Sequence, residues 1–133
     1  MLRITVPVLA AAIAAAIAAP AAASGGNYSG TWPVTITNSQ FSNGAGCLTL
    51  SGNGKSGGAS LVFGSQKYVY GSFLVMDGII VVSIVEPLYG QNGVLQFTAH
   101  ARGGTVSKGI FEDLRGGSNF DAGSLKFGMK NGC

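Results

Sequence analysis

The chain carries one histidine, His100, so His-assisted acid–base or nucleophilic catalysis would have to pass through it. It lies in the alternating stretch 94–102, where Leu95, Phe97, Ala99 and Ala101 share one face. Gln96, Thr98, His100 and Arg102 share the other, which puts His100 on the wet side, opposite Lys108. Glu112 and Asp113 are neighbours in a strand pattern, so their carboxylates face opposite ways and cannot act as a pair. Asp113 shares the inward parity of Phe111 and, near the strand end, reaches solvent or Arg115. No His, Cys, Asp or Glu set has zinc-ligand spacing. Gly54-Lys55-Ser56 mimics the end of a phosphate loop, but Thr49 stands where the first glycine belongs and no strand-to-helix context surrounds it. These residues point to a protein that is not an enzyme and takes no cofactor or metal.

The remaining reactive side chains are two cysteines, Cys47 and Cys133, which allow one pairing in an exported protein. Cys47 begins the stretch Cys47-Leu48-Thr49-Leu50, whose leucines point inward, so its thiol points outward. A Cys47–Cys133 bond would tie the last residue to the outer side of that strand. Export itself is read from residues 1–23: one positive charge in Met1-Leu2-Arg3, an alanine-rich apolar run, and Ala21-Ala22-Ala23 before Ser24. This pattern predicts a cleaved signal peptide in a secreted or periplasmic protein of bacterial style. Pro7 and Pro20 bracket a run too short to span a membrane comfortably, so no anchor is expected after cleavage.

Residues 24–133 then form one domain, long enough for a single core. All 22 glycines fall there, among abundant Val, Ile, Phe and Thr, a mixture that excludes a helical bundle. Without Arg3 the chain carries seven basic and five acidic side chains. They are scattered singly, so no nucleic-acid partner is expected.

The positioning elements are organised around Tyr68–Glu86. Asp77-Gly78 at its centre is a two-residue type I′ turn signal between apolar runs. The turn sets Met76 against Ile79, Phe73 against Val82, Gly71 against Ile84 and Tyr70 against Val85. One face of this hairpin carries Val69, Gly71, Phe73, Val75, Ile80, Val82 and Ile84. The other carries Tyr70, Leu74, Met76, Ile79, Val81 and Val85, so both faces are largely apolar. Further strands are predicted at 30–37, 47–51, 59–64, 94–102, 106–113 and 124–130. A three-residue loop, Gly103-Gly104-Thr105, would set Phe97 against Phe111 and Ala99 against Gly109, and residues 115–123 read as a loop. Met129 is expected inward with Leu125 and Phe127. Pro33 cannot donate a ladder bond, so one side of the first strand should be unpaired there.

The pattern is all-β: an antiparallel eight-stranded up-and-down barrel, with a two-sheet β-sandwich as the alternative. Gly30-Thr31-Trp32 at the head of this meander resembles the opening Gly-x-Trp strand of the calycin-type barrels, lipocalins and avidins. There the tryptophan packs at the barrel floor. The resemblance implies a small apolar ligand held within the barrel, touching Trp32, Phe63, Phe73, Phe97 and Phe111. With a single tryptophan the chain lacks those that line an avidin biotin site, and biotin binding is not implied. The alternative class is an interaction or structural domain acting through Tyr70, Leu74, Met76, Ile79, Val81 and Val85, with itself or another protein as partner.

Overall fold

The computed structural model describes residues 26–88 and 91–133. The predicted signal segment lies outside the described residues. Nine strands follow in order: β1 Gly30–Thr37, β2 Gly44–Gly52, β3 Ser56–Phe63, β4 Gln66–Tyr68, β5 Gly71–Met76, β6 Ile79–Leu88, β7 Gln91–Arg102, β8 Thr105–Arg115 and β9 Ser118–Phe127. All pairings are antiparallel. Eight strands close a ring, β1-β2-β3-β5-β6-β7-β8-β9 and back to β1, while β4 pairs with β3 alone. The ring is an up-and-down barrel rather than a two-sheet sandwich.

Turn chemistry fixes much of this register. Asp77 and Gly78 both have positive φ, as do the pairs Gly103-Gly104 and Gly116-Gly117. Three type I′ turns therefore join β5–β6, β7–β8 and β8–β9, matching the right-handed strand twist. The hairpin pairs Met76–Ile79, Phe73–Val82 and Gly71–Ile84 are as the sequence predicts, and so are Phe97–Phe111 and Ala99–Gly109. The third turn was not legible: residues 118–123 are strand, because Gly116-Gly117 suffices to turn the chain. The β7–β8 loop has two residues rather than three, with Arg102 opposite Thr105. A bulge between Ala99 and Ala101 restores the longer-range register.

The central ribbon departs from its predicted regularity at one place. Leu61 opposes Tyr68 while Gly58 opposes Ser72, three steps along β3 against four along its partner. The extra residue breaks the ribbon at Val69-Tyr70 into β4 and β5. It also reverses side-chain parity, so Val69, expected inside, is 52% exposed. Beyond the break, Val85 N–H still reaches Tyr70 C=O at 2.7 Å. Past it, β6 from Glu86 to Leu88 pairs only with β7. Among the described residues no ladder joins β4 to β6, which leaves a gap in the wall at one end.

The core holds Trp32, Val34, Leu48, Leu50, Leu61, Phe73, Ile80, Val82, Ile84, Phe97, Phe111, Leu125 and Phe127. Close approach demands glycine at Gly71 and Gly109. A Cβ on Gly71 would lie 2.8 Å from Ala59 O and 2.9 Å from Ser83 O, and one on Gly109 only 1.8 Å from Thr98 O. The β1–β9 ladder begins only at Val34–Phe127, as a proline without an N–H allows, but that side is not left free: Gly128 N–H reaches Pro33 C=O at 2.7 Å. β9 stops at Phe127, so Met129 is outside and 77% exposed, contrary to expectation. The tail then runs to Cys133, bonded to Cys47 with a Cα–Cα distance of 6.0 Å. Such a bond is compatible with an extracellular or periplasmic location.

Candidate ligand-binding site

The two ends of the barrel differ. One is plugged by the segment preceding β1. Tyr28 N–H donates to Gly54 C=O at 2.8 Å, and Trp32 Nε1–H donates to Tyr28 C=O at 2.9 Å. Gly104 N–H donates to the Tyr28 phenol oxygen at 3.2 Å. Both aromatic rings are buried, and Trp32 meets Phe127 edge-on at 6.0 Å. The Tyr28 and Trp32 polar groups are thus partnered, while Ser29 Oγ beside them is buried without a partner among the described residues. A crevice of about 460 Å³ lies outside the plug, between the Asp77-Gly78 and Gly103-Gly104 turns. Its lining is mostly exposed, and it is a surface fold between turns.

The opposite end holds a smaller cavity, about 220 Å³. Its wall is Ile36, Leu61, Phe63, Leu95, Phe97 and Phe111, with Phe41 and Ser42 from the β1–β2 loop above it. Phe97 and Phe111 meet edge-to-face at 5.6 Å, so they form a rigid aromatic wall. Tyr68, Glu86, Asp113 and Arg115 bring polar groups to the same space. Strand parity explains their convergence. Glu86 continues the inward row Ile80, Val82, Ile84 of β6, and Asp113 continues Phe111 of β8. The wall gap between β4 and β6 lies between Tyr68 and Glu86.

Asp113 is buried and holds Arg115 through both oxygens, Oδ1 to Nε at 3.3 Å and Oδ2 to Nη2 at 3.1 Å. The Arg115 guanidinium also lies 3.7 Å over the Phe120 ring, which stacks on Phe41. Glu86 has no such support: among the described residues its Oε2 is buried without a hydrogen-bond partner. Burial, then the charge of Asp113, raises the Glu86 carboxyl above its ordinary range, against the opposing pull of Arg115. The same order of causes, burial and then Glu86 and Asp113, raises the Tyr68 phenol.

Asp121, directly opposite Asp113 on β9, has a different task. Its carboxylate accepts from Ser39 Oγ, from Gln40 N at 3.0 Å and from Phe41 N at 3.1 Å. It thereby latches residues 39–41, and with them Phe41, over the cavity. Burial alone would raise this carboxyl. The Ser39 hydroxyl, the Gln40 and Phe41 amides and the Ser42 hydroxyl outweigh it and lower the group to about 2.

Of the predicted ligand residues, Phe63, Phe97 and Phe111 line this cavity, whereas Trp32 and Phe73 are buried elsewhere in the core. The Asp113–Arg115 pair is one of the two outcomes the sequence offered for Asp113, whereas Tyr68, Glu86 and Asp121 were missed as site residues, because a single polar group at a strand end carries no sequence signal of its own. The inward parity of Asp113, and of Glu86 two residues beyond Ile84, was legible in the sequence. His100 is exposed on the outer face, and no group of three His, Cys, Asp or Glu among the described residues could hold a metal ion. The outer face of the β5–β6 hairpin is bare: Tyr70 is 74% exposed, and Leu74, Met76, Ile79 and Val85 are exposed with it. Val81 is partly covered. Leu74, Val81, Thr98 and Ile110 form one row across four strands, which adds Ile110 to the patch. The chain matches no family model, no curated protein and no solved structure.

Proposed function

We propose that this protein is an exported, non-enzymatic binding module that holds one small, largely apolar ligand at the open end of its barrel. The observation that carries this reading is the asymmetry of the ends: one plugged by the buried Tyr28 and Trp32, the other left as a cavity with an aromatic wall. Pockets of this form, mostly apolar with a few convergent polar groups, are the usual sites for small molecules. The size restricts the occupant. A dry apolar cavity of about 150 Å³ accommodates benzene, so 220 Å³ suits a single ring with a short substituent. Barrel shape and the entry of Gly30-Thr31-Trp32 at the plugged end agree with a calycin-like barrel. Titration of the disulfide-bonded protein with toluene, followed by amide chemical shifts, tests the reading. Shifts should cluster at Leu61, Phe97 and Phe111 and vanish in Leu95→Phe, which fills the space. Shifts spread over the outer surface, or none, would refute it.

A second reading, self-association, is favoured by the exposed Leu74 and Ile110, with the partly covered Val81 in their row and the exposed Tyr70, Met76, Ile79 and Val85 around it. Monomers seldom leave so contiguous an apolar face bare. Light scattering on wild type and on Leu74→Lys/Val81→Lys separates the outcomes. Association through this face predicts an oligomeric wild type and a folded monomeric variant. A monomeric wild type removes the second reading.

A further inference from the structure

We propose that the ligand of the mouth cavity is a small protonated amine, its apolar body against Leu61, Phe97 and Phe111 and its ammonium group donating to Glu86 and Asp113. The inference rests on reading the cavity as a binding site and adds the chemistry of the occupant.

Three observations converge on it. First, the only polar side-chain atom lining the cavity that is buried and lacks a partner, among the described residues, is an acceptor, Glu86 Oε2. Leaving a buried acceptor without a donor is costly, more so when it is charged. A purely apolar occupant would keep that cost, whereas an N–H donor removes it. Second, the one cation lining the cavity among the described residues, Arg115, is already committed. Arg115 is bound by Asp113 and stacked on Phe120, so two inward carboxylates, Glu86 and Asp113, share a single guanidinium. The site is short of one positive charge, and an anionic ligand would meet uncompensated like charge. Third, the walls are aromatic. Phe63, Tyr68, Phe97 and Phe111 present ring surface to the same space, which favours an organic cation over a hydrated metal ion. A calcium ion would need 6–8 oxygens, and no cluster of carboxylates supplies them here.

Four probes of one size test this on the disulfide-bonded protein: benzylamine, benzyl alcohol, toluene and benzoate, titrated near neutral pH with amide shifts as the readout. Benzylamine should bind about tenfold or more tightly than toluene or benzyl alcohol, and benzoate should not bind. Glu86→Gln should abolish the preference for benzylamine over benzyl alcohol. Glu112→Gln, on the outward side of β8, should keep it. If toluene enters but benzylamine binds no more tightly, the amine inference is overturned and the cavity reading survives. If none of the four perturbs the mouth, the cavity reading falls as well. The comparison of benzylamine with benzoate uses the wild type alone, so it decides the matter even if Glu86→Gln fails to fold.

Discussion

Replacing Asp121 by asparagine tests the latch that holds Phe41 over the cavity. The side chain keeps its shape but loses the charge that accepts from Ser39, Gln40 and Phe41. A carboxyl lowered from 3.8 to about 2 represents at most about 2.5 kcal/mol, at about 1.4 kcal/mol for each unit. Water at the barrel mouth screens part of this, which leaves about 1–2 kcal/mol. The sign follows from the direction of the shift. A depressed carboxyl stabilises the fold fully above its unfolded value near pH 4, and that contribution is lost as the pH falls towards 2. Urea titrations of wild type and Asp121→Asn at pH 7, 4, 3 and 2 read it out. The midpoint difference should be roughly 0.5–1 M at pH 7 and should close towards zero at pH 2. Glu86 is present in both proteins, so its effect largely cancels in the difference. A gap that persists unchanged at pH 2 would show that shape, not charge, holds the loop. No gap at pH 7 would remove the latch altogether.

Two further outcomes follow from the fold. Gly71→Val should destabilise by about 1–3 kcal/mol or prevent folding, since its Cβ would press on two backbone oxygens. Ser72→Val, on the exposed outer face, should stay within about 0.5 kcal/mol, and equal tolerance in thermal melts would contradict the face assignment. Cys47→Ser/Cys133→Ser opens a loop with 86 residues of separation and should lower Tm by roughly 8–16 °C, for a loss of about 2–4 kcal/mol. Two free thiols in protein purified without reductant would refute the bond itself.

Which parts of the molecule were legible depended on how local their cause is. Asp77-Gly78 acts through its own φ angles, so the turn and the three pairs beside it could be read directly. Gly116-Gly117 acts in the same way but stood unread inside a glycine-rich stretch, where many positions could have turned the chain. The Cys47–Cys133 bond needed only counting. The break at Val69-Tyr70 was not legible, because an extra residue shows only against its partner strand β3. Its consequences, the turned-out Val69 and the gap beside β6, were hidden with it.

The mouth was hidden for a related reason. Tyr68, Glu86, Asp113, Arg115 and Asp121 come from four strands and meet only because the ring closes. In sequence these are polar residues near the ends of apolar strands, the usual position of charges that prevent edge association. Closure changes what such a charge means. At the plugged end the strand termini meet the partnered Tyr28 and Trp32, and no charged group among the described residues is buried there. At the open end the same kind of terminus turns inward, and the barrel carries Glu86 Oε2 buried without a partner. A sequence selected for stability alone would place an apolar side chain at Glu86, beside Leu95 and Phe97, at no electrostatic cost. The carboxylate is therefore better understood as shaped by an occupant than by the fold. Glu86→Leu separates the two: it should raise Tm, while removing the preference for benzylamine. A lowered Tm would instead assign Glu86 to the architecture of the barrel.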